Sequence, residues 1–433
     1  MIRRLISAGL VCLGMSLAPQ MLLATGDTRA TEVPAEAVKV RMDEPVLIDQ
    51  AAPEVRRWGT FAFPKIYRLP GGEVCVTFRP IVRDHVCDQG TLSPAFVSND
   101  DGHTWQRYKW PHPGMTGISP YITRVNNGEY YCLPAVTGIQ LDLSRLPKPL
   151  GSFGVSAGFP IYLLADCPAD VIRWFDDLKA VRWSPKTQIW TQENVQWDHR
   201  GQLIWSYNDT PQKIPGDWSQ KVYMEGPVVR VGQELMYADY WTWHETKPGQ
   251  PPQAMQCSLM VSTDNGHSWT WRSTLATMSK DDNTAEPTIE LNKEGELVGV
   301  MRREYLHKNP SMYLVHSKDQ GYTWSEPQTL FEFGVEPQLR QLENGVMVLS
   351  FGRPGVWVSF SLDGGYSWTK PLAVIAGDPG HRMKDSSGYT SMLPIGKDSF
   401  LLAYDDFLRP NAQGELCKSI LVRRITVQKA SRK

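Results

Sequence analysis

Among the residues able to do chemistry, aspartate stands out first by its spacing. It recurs in Ser98-Asn-Asp-Asp-Gly-His-Thr-Trp105, Ser262-Thr-Asp-Asn-Gly-His-Ser-Trp269, Ser317-Lys-Asp-Gln-Gly-Tyr-Thr-Trp324 and Ser361-Leu-Asp-Gly-Gly-Tyr-Ser-Trp368. A carboxylate so placed has two uses. It can ligate a cation, or it can accept backbone N–H bonds and close a turn. The calcium-loop reading of Asp264-Asn-Gly266 is poor, because the other ligand positions and a terminal Glu are missing. The turn reading uses every residue: the Gly permits a positive φ and the Trp anchors the turn in apolar surroundings. Outside these copies, three kinds of group sit near strand-like segments. A phenol lies in Ser387-Gly-Tyr-Thr-Ser-Met-Leu393. Carboxylates and guanidiniums lie in Glu286-Pro-Thr-Ile-Glu-Leu291 and Met301-Arg302-Arg303. A further guanidinium lies in Gly352-Arg-Pro-Gly-Val-Trp-Val-Ser-Phe360. A guanidinium fork pairs with both oxygens of a carboxylate. A phenol, with a pKa of about 10, needs a base before it can attack. A carboxylic acid can protonate a leaving oxygen.

The elements that must position these groups are short strands. Gly59 to Phe78 reads as two strands joined at Pro70-Gly71-Gly72. The same strand–turn–strand phrase recurs at 288–301, 337–350 and 390–404. One repeat is therefore an inner pair, a third strand, the Asp–Gly–Trp turn and an outer strand. Four-stranded blades set radially make a β-propeller, so the expected fold is all-β with six blades and four Asp-box turns. The last three copies begin at Ser262, Ser317 and Ser361, about one blade apart. The wider gap after Ser98 must hold a blade without a box and an insertion, placed at about 146–177. Ser184-Pro-Lys-Thr-Gln-Ile-Trp190 reads as a decayed copy of the turn, and a strand near Pro45–Asp49 as the piece that closes the ring. The 16 tryptophans, with frequent Gly and Pro, suit many short strands joined by turns.

Residues 1–25 read as a secretory signal: Met1-Ile-Arg-Arg4 is a positive start, followed by an apolar run to about Ala24. Residues 26–42 form a linker and 43–430 the propeller. The expected location is secreted or periplasmic. No other stretch is apolar enough to span a bilayer, so no stable membrane span remains after signal cleavage. The net charge of −1 gives no general pull on nucleic acid or anionic membrane. Cys75, Cys87, Cys132, Cys167, Cys257 and Cys417 are too widely spaced for a zinc ribbon or a CxxC pair. Disulfides and buried free thiols both remain open, as does the oligomeric state.

Repeated Asp boxes behind a signal segment, from about Gly59 to Val427, resemble the sialidase (neuraminidase) superfamily. That resemblance implies boxes on the outer rim, away from the site, and a site of three devices: an arginine cluster for the substrate carboxylate, a Tyr nucleophile with a Glu as its proton acceptor, and a carboxylic acid for the leaving oxygen. Sialidases are the Tyr-nucleophile exception among glycosidases. Ser387–Leu393 resembles the family's Ala-Tyr-Ser-Asp-Leu phrase and implies Tyr389 as the nucleophile. Asp405 and Asp406 can then only support it from behind. Glu286–Leu291 resembles the family's Glu-x-x-Val-Val-Glu-Leu segment and implies Glu286 as the proton acceptor, with Glu290 in reserve. Arg302, with Arg303 as alternative, and Arg353 are the implied clamps. The acid falls at Asp88, with Asp84 as the other choice, and His85 beside them reads as a loop residue. Tyr223-Met-Glu-Gly-Pro227 also resembles a family phrase and implies that Glu225 contacts the sugar. No metal or organic cofactor is needed, and the partner is a glycan or glycoconjugate.

One departure stands out. The family begins its first blade with Arg-Ile-Pro, and this chain has Ala62-Phe63-Pro64. The first clamp is absent at that register. Lys65 and Arg68 are close in sequence, but a shift of one residue flips the face of a strand. The leading reading is an exported sialidase-like exo-glycosidase acting on a terminal acidic sugar. The alternatives are a polysaccharide lyase acting on uronate glycans and a non-catalytic glycan-binding propeller.

Overall fold

The computed structural model describes residues 30–34, 37–79, 93–113, 121–134, 138–153, 159–199, 201–206, 217–219, 221–240, 256–276, 282–305 and 311–430. The signal at 1–25 and the segment holding Asp84, His85, Cys87 and Asp88 lie outside them.

The fold is all-β, with strands grouped in fours. Ala62–Arg68, Val74–Arg79, Ala95–Ser98 and Gln106–Tyr108 form one sheet in chain order. Asp282–Leu291, Leu297–Tyr305, Ser311–Ser317 and Gln328–Phe331 form a second. Val335–Gln341, Met347–Gly352, Val356–Ser361 and Leu372–Ile375 form a third. Two further groups, one running from Thr123 to Trp197 and one from Val229 to Thr274, join edge to edge into eight strands. The joint is a parallel pairing of Gln196 with Ser268 and Trp197 with Trp269. In a five-stranded sheet, Thr390–Ile395, Ser399–Pro410 and Leu416–Lys429 are completed from the N-terminal side. Both Val38–Met42 and Val46–Gln50 pair with Leu416–Lys429.

Sheets buried on both faces explain the strand sequences. Val74–Arg79 and Met347–Gly352 are buried at every position, so they read as continuous apolar runs and not as alternating ones. The boxes join the third and fourth strands, and their chemistry is local. In the second copy Ser262 Oγ donates to Asp264 Oδ1 at 2.8 Å and accepts from Gly266 N at 2.7 Å. Ser268 N and Oγ then donate to the two Asp264 oxygens at 2.8 and 2.6 Å. The other three copies repeat this pattern. Trp269 and Trp368 are almost wholly buried. The box aspartates bond within their own turns.

The stretch expected as an insertion is folded. Gly151–Phe153 and Phe159–Leu163 pair with each other, and the latter pairs with Leu203–Trp205. The helix Ala169–Asp176 packs Val171 and Phe175 into a separate apolar cluster with Tyr162, Leu164 and Ile204. Among the described residues no helix is long and apolar enough to cross a membrane. Cys75, Cys132, Cys167, Cys257 and Cys417 are buried free thiols.

Candidate active site

The site begins with a defect shared by the first strands of three sheets. The strand ladder skips between Ala62 and Lys65, between Ala285 and Thr288, and between Val335 and Gln338. At each skip a residue with positive φ precedes a proline: Phe63 (57°), Glu286 (49°) and Glu336 (44°). Proline cannot donate to a ladder, so it settles at a bulge. The bulge bends the strand and re-aims the side chain before it. Positive φ is strained for these residues and persists only where the surroundings over-determine it. Here the three bulges bring Phe63, Glu286 and Glu336 into one cluster.

Glu286 is the hub. Its Oε1 accepts from Tyr389 Oη and from Arg302 Nη1, the latter at 2.8 Å. Its Oε2 accepts the backbone N–H of Glu336 at 2.9 Å. Burial opposes its charge, but the Arg302 and Arg353 guanidiniums and the Tyr389 hydroxyl outweigh that and hold the carboxyl below its ordinary range. Tyr389 is pushed the other way, well above an ordinary phenol, by burial first and the Glu286 charge second. The pair is thus a neutral phenol hydrogen-bonded to an ionised carboxylate. A phenol in that state has a base in place to take its proton as it attacks.

Tyr389 is fixed from behind. Buried Asp405 accepts from Ser386 Oγ and Ser387 N, both at 2.7 Å, from Ser387 Oγ, and from Phe63 N at 3.3 Å. These bonds tie the turn before Tyr389 to the first bulge. Gly388, at φ 80°, leads directly into the tyrosine. A Cβ on Gly388 would lie 2.6 Å from Arg353 N, and one on Gly352 would lie 2.3 Å from Gly388 Cα. The two strand ends touch through their glycines, and this closeness places Arg353 against Tyr389. The Arg353 guanidinium donates to Ser387 O at 3.0 and 3.2 Å and lies 5.5 Å from the Tyr389 ring centre and 5.0 Å from that of Trp58. Phe63 meets Tyr389 edge-on at 4.5 Å.

A second wall faces this centre. Glu225 accepts from Tyr223 Oη and, at 3.3 Å, from Tyr240 Oη. Glu225, Glu286, Glu336, Gln338, Tyr237 and Tyr240 line one cleft that opens to solvent. Lys65 reaches Glu336 from the first sheet, Nζ to Oε1 at 3.0 Å, with both side chains buried.

The structure therefore gathers Tyr389, Glu286, Arg302, Arg353, Glu225 and Lys65. It does not gather Arg68, which is partly exposed and bonds Gly72 O and Asp101, each at 2.8 Å. Arg68 ends its strand three residues past Lys65 and belongs to the hairpin turn. Asp88 lies outside the described residues. The reserves stand apart as well: Glu290 caps Leu291 N at 3.0 Å, and Arg303 lies over Tyr313. Three participants escaped sequence reasoning. Glu336-Pro337 repeats the Glu286-Pro287 dipeptide one sheet later, a signal that was there to be read. Tyr240 carries no comparable mark. Arg382, in the segment before Tyr389, is held below its ordinary value by burial and then by the charges of Arg353 and Arg302. Its charge is thus within electrostatic reach of both. Arg79, opposite Ala62 in the ladder, lies over the Phe63 ring at 4.7 Å.

No known protein family matches the chain, and no curated protein matches it in sequence. Solved structures do resemble it. A protein of unknown function from Dyadobacter fermentans matches with TM-score 0.59 at 17% identity, over 90% of this chain and 99% of that one. That likeness shows a shared fold and carries no activity. Looser matches are the intramolecular trans-sialidase from Ruminococcus gnavus, with TM-score 0.47 at 14% identity over 84% and 94% of the two chains, and a NanB sialidase mutant from Streptococcus pneumoniae, with TM-score 0.46 at 14% identity over 88% and 70%.

Proposed function

We propose that this chain is an exported, sialidase-like exo-glycosidase that hydrolyses a terminal acidic sugar from glycans. In this reading the four-stranded groups are the six blades of a propeller, and their inner strands line the central site. One observation carries the reading: Tyr389 Oη donates to a Glu286 carboxylate that Arg302 also holds, with the Arg353 guanidinium against the tyrosine ring. Tyr389 Oη attacks the anomeric carbon while its proton passes to Glu286. The bond to the leaving oxygen breaks, and a carboxylic acid protonates that oxygen. Asp88 remains the proposed acid. Water then reverses the sequence at the same carbon, so configuration is retained. Arg302, Arg353 and Arg382 supply positive charge for the sugar carboxylate. Arg382 takes the place of the clamp that Ala62 does not provide.

The test is Tyr389→Phe, assayed on sialylated and uronate-bearing glycans with products identified by mass spectrometry and NMR. Turnover should fall by roughly a thousandfold or more with the thermal unfolding unchanged. An unchanged rate sinks the nucleophile assignment. An unsaturated product absorbing in the near-UV establishes a lyase instead, and sugar binding without any product establishes a binding protein.

A further inference from the structure

Glu336 is the least expected group in the cleft. It is 3% exposed. Its Oε1 is taken by Lys65 and its backbone N–H by Glu286. Its Oε2 is buried with no hydrogen-bond partner among the described residues, and the residue lines the cleft. A buried carboxyl oxygen left unpaired is costly, so natural interiors rarely keep one without a use. The bulge at positive φ holds the residue in place against backbone strain.

We propose that Glu336, with Glu225 across the cleft, forms a subsite beside the Tyr389–Glu286 centre that binds a ring hydroxyl of the sugar through Glu336 Oε2. The location of the ring rests on the glycosidase reading; the binding chemistry does not. A neutral hydroxyl needs no further charge at the site. Lys65 already compensates Glu336, Arg302 compensates Glu286, and the Arg79 charge also acts on Lys65. An ammonium group would meet the Lys65 charge. A hydroxyl donates and accepts, so it matches this carboxyl whether protonated or ionised. That matters because burial first, and the Glu225 and Glu286 charges after it, push Glu336 upward to about 8 against the pull of Lys65.

The experiment is a cycle between ligand and protein. Calorimetry measures binding of N-acetylneuraminic acid, D-glucuronic acid and their monodeoxy forms to the full chain. It is repeated on the double variant Lys65→Met/Glu336→Leu, which replaces the buried pair by apolar groups and so avoids stranding one charge. Deleting one particular hydroxyl should weaken binding to the native protein roughly ten- to a hundredfold and leave binding to the variant unchanged. Equal losses in both proteins overturn the subsite, as does a native protein indifferent to every deletion or binding none of the sugars. The deoxy series on the native protein alone keeps the test decisive if the variant does not fold. Turnover without coupling at Glu336 removes the subsite and leaves the hydrolase. Coupling without turnover does the reverse.

Discussion

Tyr389, Glu286 and Arg353 work as one unit because each sets the state of the others. Burial and then the Glu286 charge raise the phenol, and the guanidiniums lower the carboxyl against its burial. A substitution therefore acts on more than its own contact. Arg353→Lys keeps the charge but loses the planar fork and the stacking on Trp58 and Tyr389. It should raise KM or Kd for a carboxylate-bearing sugar roughly tenfold or more, and barely change binding of the corresponding neutral sugar. A titration with N-acetylneuraminic acid and its methyl ester checks this. Equal losses for both would place Arg353 outside the carboxylate contact.

At the scale of elements, the bulges and the glycine contact do the positioning. Gly388 and Gly396 both have positive φ, 80° and 64°. Gly388 has backbone within 3 Å of a would-be Cβ, whereas Gly396 has nothing within 4 Å. Gly396→Ala should cost only the left-handed strain, about 1 kcal/mol. Gly388→Ala must also push Arg353 aside. It should cost about 2–4 kcal/mol and depress turnover further than that loss of folded protein explains. Urea unfolding of both variants, with turnover measured at low denaturant, separates the two effects. Similar costs for both would mean the strand ends can part without penalty.

At the scale of the whole molecule, strands near the two ends of the described residues are fastened together. Val38–Met42 and Val46–Gln50 cover Leu416–Lys429, and Arg424 O binds Asp43 N at 3.0 Å. Ile48 packs with Ile420 and Val422 in a cluster that also holds Ile66 and Phe78 of the first sheet. A chain starting at Ala52 retains every gathered site residue yet uncovers a long strand edge and part of this core. It should lose cooperative unfolding and aggregate, read by circular dichroism and gel filtration. A soluble, cooperatively folding truncation would show that the ends are dispensable.

Much of this was legible in the residues. The boxes could be read because all their bonds fall within one short segment, so spacing alone determines them. The strand phrases could be read because burial on both faces leaves continuous apolar runs. Tyr389, Glu286, Arg302 and Arg353 stood in phrases distinctive enough to single out. The tertiary structure decided which groups meet. Lys65 reaches Glu336 across 271 residues and Tyr389 reaches Glu286 across 103, and no local pattern encodes such distances. It separated Lys65 from Arg68, close in sequence, because the three-residue step between them along a regular strand puts them on opposite faces and Arg68 ends the strand at its turn. It also brought the Arg382 charge within electrostatic reach of Arg302 and Arg353. Sequence specifies what each segment can form by itself, whereas a site assembled from several sheets depends on how bulges and glycine contacts aim side chains at a common point.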